Sequence, residues 1–174
     1  MTFGLQSALC LVNWDTSASI VDDGSYVNWL EGTRILEAAI DVLPIGVSHV
    51  ATGLAEMQAN RMRPAEAILA LREAAVTRVL VAGNFIERDV VPFAISLVQA
   101  GMEPILLFDV CGTLDPMAKW QSLAGAVDDG VKVSTVQQTL GMLTGETSDP
   151  ELKSRITEIL NAPFGDLAVE LSAA

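Results

Sequence analysis

The side chains with chemistry to offer stand in three places, each just after a short apolar run. Asn13-Trp14-Asp15 follows the run over 8–12, Gly83-Asn84-Phe85-Ile86-Glu87-Arg88-Asp89 follows 79–81, and Asp109 and Cys111 follow 105–108. In open parallel sheets, ligands bind where strands end and helices begin. Carboxylates meeting there could serve as nucleophile or base, or give Mg²⁺ the oxygen ligands it favours. Asp15, Asp89 and Asp109 qualify, with Glu87 and Arg88 on the turn. Cys111 could be a thiol nucleophile if His49, the one histidine, lay beside it. Each residue also has a plainer reading. An Asp at a helix start caps free N–H groups and suits the dipole. A free Cys is most often a small buried residue, as Cys10 inside its apolar run is expected to be. One His without Cys or His partners lacks metal-ligand spacing, so no metal or cofactor is assigned.

These groups need a scaffold, and the stretch 76–109 supplies its central unit. An apolar run reaches Ala82-Gly83, a polar turn follows, a helix starts at Asp89 and ends at Gly101, and a second apolar run stops at Asp109. Val91, Ala94, Ile95 and Val98 fall on one helical stripe. Strand, turn, helix and strand make one right-handed crossover of a parallel sheet. Around it, 8–12 reads as a strand buried on both faces. A helix from Val27 carries Leu36, Ala39, Ile40 and Leu43 on one stripe until Pro44 ends it, and 45–50 is a weaker strand. No clear period marks 51–63. Pro64 opens a helix through Ala75 with Ala67, Ala70, Leu71 and Ala74 inward. Asp115-Pro116 starts another, with Leu123 and Val127 inward, that stops at Asp129-Gly130. A short edge strand over 131–133, a helix over 134–143, a loop over 145–150 and a helix over 151–160 complete the chain. Strands alternate with helices, so the expected fold is an α/β three-layer α/β/α sandwich with a mostly parallel sheet, in one domain over 1–174.

Composition narrows the partners. The chain has 174 residues, 51% of them hydrophobic, enough for a substantial core. A net charge of −12, with only 10 Lys and Arg and no basic run, argues against nucleic acid. No apolar run is long enough to span a bilayer and no leader-like segment opens the chain, so no membrane partner is expected. Two cysteines rule out a disulfide framework and suit a reducing cytoplasm. A mean hydropathy of +0.41 exceeds what a soluble monomer's core needs, so part of the apolar surface is expected to bury in a homo-oligomer.

The ordered set of segments resembles the isochorismatase-like (cysteine hydrolase) family. A-L-C-L-V-N-W-D is similar to its first strand, 76–109 to the strand, turn and helix that carry its nucleophile, and V-K-V-S-T-V-Q-Q-T-L-G-M-L-T-G to its late strand and helix. The resemblance covers about four-fifths of the chain and is weakest over 44–64. It implies the hydrolase fold and a triad of Asp, Lys and Cys. Here Asn13 stands at the Asp position and Asp89 at the Cys position. The Lys is expected near Met57, yet no Lys precedes Lys119. An amide cannot take a proton near neutrality, and a carboxylate is a poor nucleophile toward amides. Triad members act as a unit, so their loss is near-complete in effect. The expectation is a small-molecule binder or oligomeric pseudoenzyme, its pocket formed by Trp14, Asp15, Asn84, Phe85, Ile86 and Cys111 around Asn13 and Asp89. Two alternatives stay open: a hydrolase using the Asp89 carboxylate, and a metal-dependent nuclease, since V-N-W-D paired with G-N-F-I-E-R-D also resembles NYN/PIN-type enzymes.

Overall fold

The protein is described by a computed structural model over residues 7–14, 26–52 and 61–162. Five strands form one parallel sheet: β1 (Ser7–Val12), β2 (Gly46–Val50), β3 (Arg78–Gly83), β4 (Glu103–Leu107) and β5 (Lys132–Ser134), in the order β2-β1-β3-β4-β5. Among the described residues six α-helices cover it: α1 (Tyr26–Ile40), α2 (Pro64–Glu73), α3 (Val91–Gln99), α4 (Pro116–Asp128), α5 (Val136–Glu146) and α6 (Pro150–Asn161).

Alternation along the central strands sorts their side chains into two cores. Ala8, Cys10, Val12, Val79, Val81 and Leu106 face α2, α3 and α4. Leu9, Leu11, Leu80, Ala82, Ile105 and Leu107 face α1, α5 and α6. This period of two, buried on both sides, is why the strands read as unbroken apolar runs. The layers follow from strand order. The chain steps one way from β1 to β2, then back past β1 to β3, β4 and β5. Crossovers of constant hand must then put α1 on one face and α2, α3 and α4 on the other. The direction reverses between β1 and β3, which opens a crevice at their carboxyl ends.

Most predicted elements fall where expected, and three differ for identifiable reasons. The helix after β3 begins before Asp89: Ile86–Val90 form a π-helical turn that runs into α3. Pro92 has no N–H to donate to the Arg88 carbonyl, and its ring crowds that oxygen, which favours a widened turn. On α4, Val127 is 54% exposed, while Lys119, Leu123 and Ala126 form the buried stripe. Successive residues turn by about 100°, so Val127 lies beyond Leu123 and past the edge of the buried face. On α2, likewise, Ala67 and Leu71 are buried but Ala70 and Ala74 are exposed.

The cysteines are core. Burial pushes both the Cys10 and Cys111 thiols up to about 12. Both should resist a disulfide reagent at pH 8 in the native protein and react fully once unfolded, as a thiol titration will show. Between pH 9 and 12 the unfolded chain sheds these protons while the folded one keeps them. Their contribution to stability is therefore complete below pH 9 and falls as pH rises. Glycines provide a second check. A Cβ on Gly83 would collide with the Val12 carbonyl oxygen, whereas one on Gly141, exposed on α5, meets nothing within 4 Å. Gly83→Ala should cost about 3 kcal/mol or more, and Gly141→Ala should gain up to about 1 kcal/mol, measured by denaturant unfolding.

Candidate functional site

The crevice between the ends of β1 and β3 is built by backbone contacts. Asn13 N–H donates to the Val50 carbonyl at 2.8 Å, and Asn84 N–H to the Val12 carbonyl at 3.1 Å. These bonds extend the ladders one step beyond the strands. Two residues then leave ordinary backbone space: Asn13 at φ 47° and Phe85 at φ 56°. Asn tolerates the left-handed region, but a bulky aromatic there is strained, and such strain concentrates at functional sites. The π turn that follows is itself a form over-represented at functional positions. It carries Asp89 inward, where the residue is only 5% exposed.

Asp89 lies at the centre of a closed polar ring. Asn13 Nδ2 donates to its Oδ2 at 3.0 Å, and Thr52 Oγ1 donates to its Oδ1 at 3.0 Å. Arg88 adds Nη2 to Oδ2 at 2.7 Å, and its Nε lies 3.0 and 3.1 Å from the two oxygens. Asn13 and Thr52 close the ring: Asn13 Nδ2 reaches Thr52 Oγ1 at 2.7 Å, and Thr52 N–H donates to Asn13 Oδ1 at 3.2 Å. Three elements therefore converge, through the ends of β1, β2 and β3. The Asp89 carboxylate does not cap the helix, since no side-chain cap bond occurs at its start. Bidentate guanidinium contacts are the strong form of a charge-assisted bond, and here the Arg88 guanidinium also sits 4.4 Å over the Phe85 ring. Thr52 has no motif to announce it. Its signal was only its place two residues past β2, at the start of a stretch without periodicity.

The other predicted residues divide. Asn84 is buried at the crevice floor, and Trp14 is half-buried against the core of the α1 layer. Ile86 and Cys111, expected on the pocket wall, instead belong to the core, with 0% and 2% exposure. The left-handed Phe85 turns Ile86 under the sheet end, and the Cys111 Sγ–H points back to the Leu107 carbonyl at 3.2 Å. Asp15 lies outside the described residues, as does the expected lysine position at Met57. His49 is exposed on the edge strand β2.

Glu87 and Asp109 have structural partners. Glu87 Oε1 accepts from the N–H groups of Leu114 and Asp115 at 2.6 and 3.1 Å, tying the π turn to the loop before α4. Asp109 accepts from Val136 N–H at the start of α5, at 3.0 and 3.1 Å. Burial raises the Asp109 pKa, partly offset by that bond. Among the described residues, no three His, Cys, Asp or Glu side chains gather in a way that could hold a metal ion.

An Asp, a Lys and a Cys do meet one strand away from Asp89. Lys119, 6% exposed on α4, places Nζ 3.5 Å from the Cys111 carbonyl and interacts electrostatically with Asp109. They do not form a displaced triad. Burial holds the Cys111 thiol protonated against the weaker pull of the Gly83 N–H and the Lys119 charge, and the Asp109 carboxylate is committed to α5. A cavity of about 360 Å³ lies elsewhere again, between Ser7, Ser48, Ala74 and Val76 at the amino ends of the strands. Ligands in open parallel sheets bind instead at the carboxyl ends, where the strand order reverses, so the polar crevice is the better candidate site.

No family model and no curated protein matches this sequence. Solved structures do match it. MAR1 ribonuclease from Caenorhabditis elegans superposes with a TM-score of 0.69 at 16% identity, over 92% of this chain and 93% of that one. YcaC from Escherichia coli, an octameric hydrolase of unknown specificity, gives 0.62 at 14% identity, over 98% and 95%. PnC1 from Leishmania infantum, in complex with nicotinate, gives 0.56 at 14% identity, over 77% and 94%. Strand order, helix layers and these matches together identify the fold as that of the isochorismatase-like cysteine hydrolases.

Proposed function

We propose that this chain binds a small molecule at the β1/β3 crevice, without the thiol hydrolysis associated with its fold, and that it does so as an oligomer of identical chains. One observation carries the reading: both oxygens of Asp89 are engaged by Asn13, Thr52 and Arg88. A carboxylate held by this many donors is a weak nucleophile. Its neighbour Asn13 offers an amide in place of a base, and both cysteines are sealed in the core. The crevice keeps features that suit recognition: a strained Phe85 under a guanidinium, a half-buried Trp14, and a polar floor. PnC1, with nicotinate bound, supports a small planar acid or amide as the ligand class. YcaC, described as octameric, supports assembly, as does the high mean hydropathy.

The same ring weighs against hydrolysis by an Asp89 nucleophile. The metal-dependent nuclease reading has less support still, because Asp109 and Glu87 Oε1 are committed to backbone N–H groups and no three His, Cys, Asp or Glu side chains gather among the described residues. The word ribonuclease belongs to the C. elegans protein, and the net charge of −12 gives this chain no reason to share a nucleic acid partner.

Assay of the purified protein with nicotinamide, other small amides and vinyl ethers should show no turnover above background, while nicotinate or nicotinamide raises the melting temperature. Asp89→Asn should leave that rate unchanged and cost about 1–3 kcal/mol, because an amide turns N–H groups toward donors that need an acceptor. Turnover that disappears in Asp89→Asn would establish the carboxylate-nucleophile reading instead. Combining Asn13→Asp, Asp89→Cys and Met57→Lys should introduce measurable amide hydrolysis if the scaffold still positions a triad.

A further inference from the structure

We infer that the outer face of α4 is where a second copy of this chain docks, an inference that rests on the oligomeric part of the function proposed above. Met117, Trp120, Ala124 and Val127 follow at i, i+3, i+7 and i+10 and share one stripe of the helix, and all four are exposed. Leu114 extends the stripe at its amino end. Leu114, Met117, Trp120 and Val127 are 52%, 66%, 59% and 54% exposed. Trp120 is held in place by Phe108, with ring centroids 6.1 Å apart, so it is a preorganised anchor.

Charge limits where two copies can meet. A chain of net charge −12 repels its own copies, so a contact between them costs least on surface that carries no charge. On α4 the lone cation, Lys119, turns inward, and the acids Asp115, Asp128 and Asp129 stand at the two ends. Two such helices crossing near Trp120 and Ala124 at about 50° keep those acidic ends apart while their apolar middles meet. A two-fold pairing of this kind needs only one patch that complements itself. The stripe offers on the order of 400 Å² of apolar surface, about half of the roughly 800 Å² that each partner of a standard interface buries. That suits an apolar centre with a polar rim. The chain's own carboxyl-terminal segment is a poorer occupant. Ala162, where the described residues end, is bonded to Arg34 on α1, in the opposite helix layer.

The test is sedimentation of the full chain across 1–100 µM, with tryptophan emission, to which Trp14 and Trp29 also contribute, followed on dilution. The wild type should be a dimer or larger, and Trp120→Glu should reduce the mass to a smaller species, weakening the association at least 100-fold. Val127→Lys should act in the same direction. Leu69→Glu, which removes an exposed apolar side chain on α2, should leave the mass unchanged. Circular dichroism must show all three variants folded, as substitutions at exposed positions allow. A wild type that is monomeric at 100 µM overturns the oligomeric reading together with this one. An assembly that survives both Trp120→Glu and Val127→Lys overturns the assignment of the surface alone.

Discussion

The structure depends on how closely two backbones approach at the end of the sheet. β1 and β3 run side by side until Val12 faces Gly83, and no side chain fits between them there. Because position 83 is glycine, the ladder stays intact to its last rung and the two chains diverge together, one into Asn13 and the other into Asn84. That shared departure point fixes the separation of the groups that follow. Without it, Asn13 and Asp89, 76 residues apart in the chain, would have no reason to lie 3.0 Å from each other.

On this frame, most of the obvious reactive groups are spent on a neighbour, Glu87 through Oε1 alone, its Oε2 being buried without a partner among the described residues. Asp89 is matched by an amide, a hydroxyl and a guanidinium. Glu87 and Asp109 serve backbone N–H groups at the starts of α4 and α5. The Asp89 carboxylate is buried while the Arg88 side chain is half exposed, so Asn13 and Thr52 are needed to keep the carboxylate supplied with donors, which holds the ring rigid. Rigidity suits holding a ligand and opposes the proton shuttling that hydrolysis requires. The Cys111, Lys119 and Asp109 grouping makes the same point from the other side, because residue types alone do not make a triad. Depth decides it: a thiol shut away from water stays a thiol.

The scaffold was legible in the sequence because its signals are long and redundant. The runs over 8–12, 79–81 and 105–108 each mark a strand buried on both faces, and the stripe on α1 points inward as its spacing predicts. On α3, Val91 and Ala94 are buried, but Ile95 and Val98 are only half-buried and give place to Phe93 and Leu97. Asn13 and Asp89 could be placed together because both follow such runs. What could not be read was local. Thr52 enters the ring from a stretch with no period, and the inward turn of Asp89 depends on a left-handed Phe85 and on the effect of Pro92 one turn later. Val127 and Cys111 differ from expectation for a similar reason: a few tens of degrees around a helix, or the short turn between β4 and Cys111, separates wall from core.

The widened turn at Ile86–Val90 also bears on how this crevice could change over time. A π turn holds one more residue than the α-helical turn it replaces, and one residue rotates everything before it by about 100°. Loss of a single codon within that turn would swing a different side chain toward Asn13 while leaving α3, with its grip on the sheet, where it is. Such a deletion would also move Ile86 and Val90, both buried, and Glu87, which holds the loop before α4, so this turn ties the contents of the crevice to the packing beneath it.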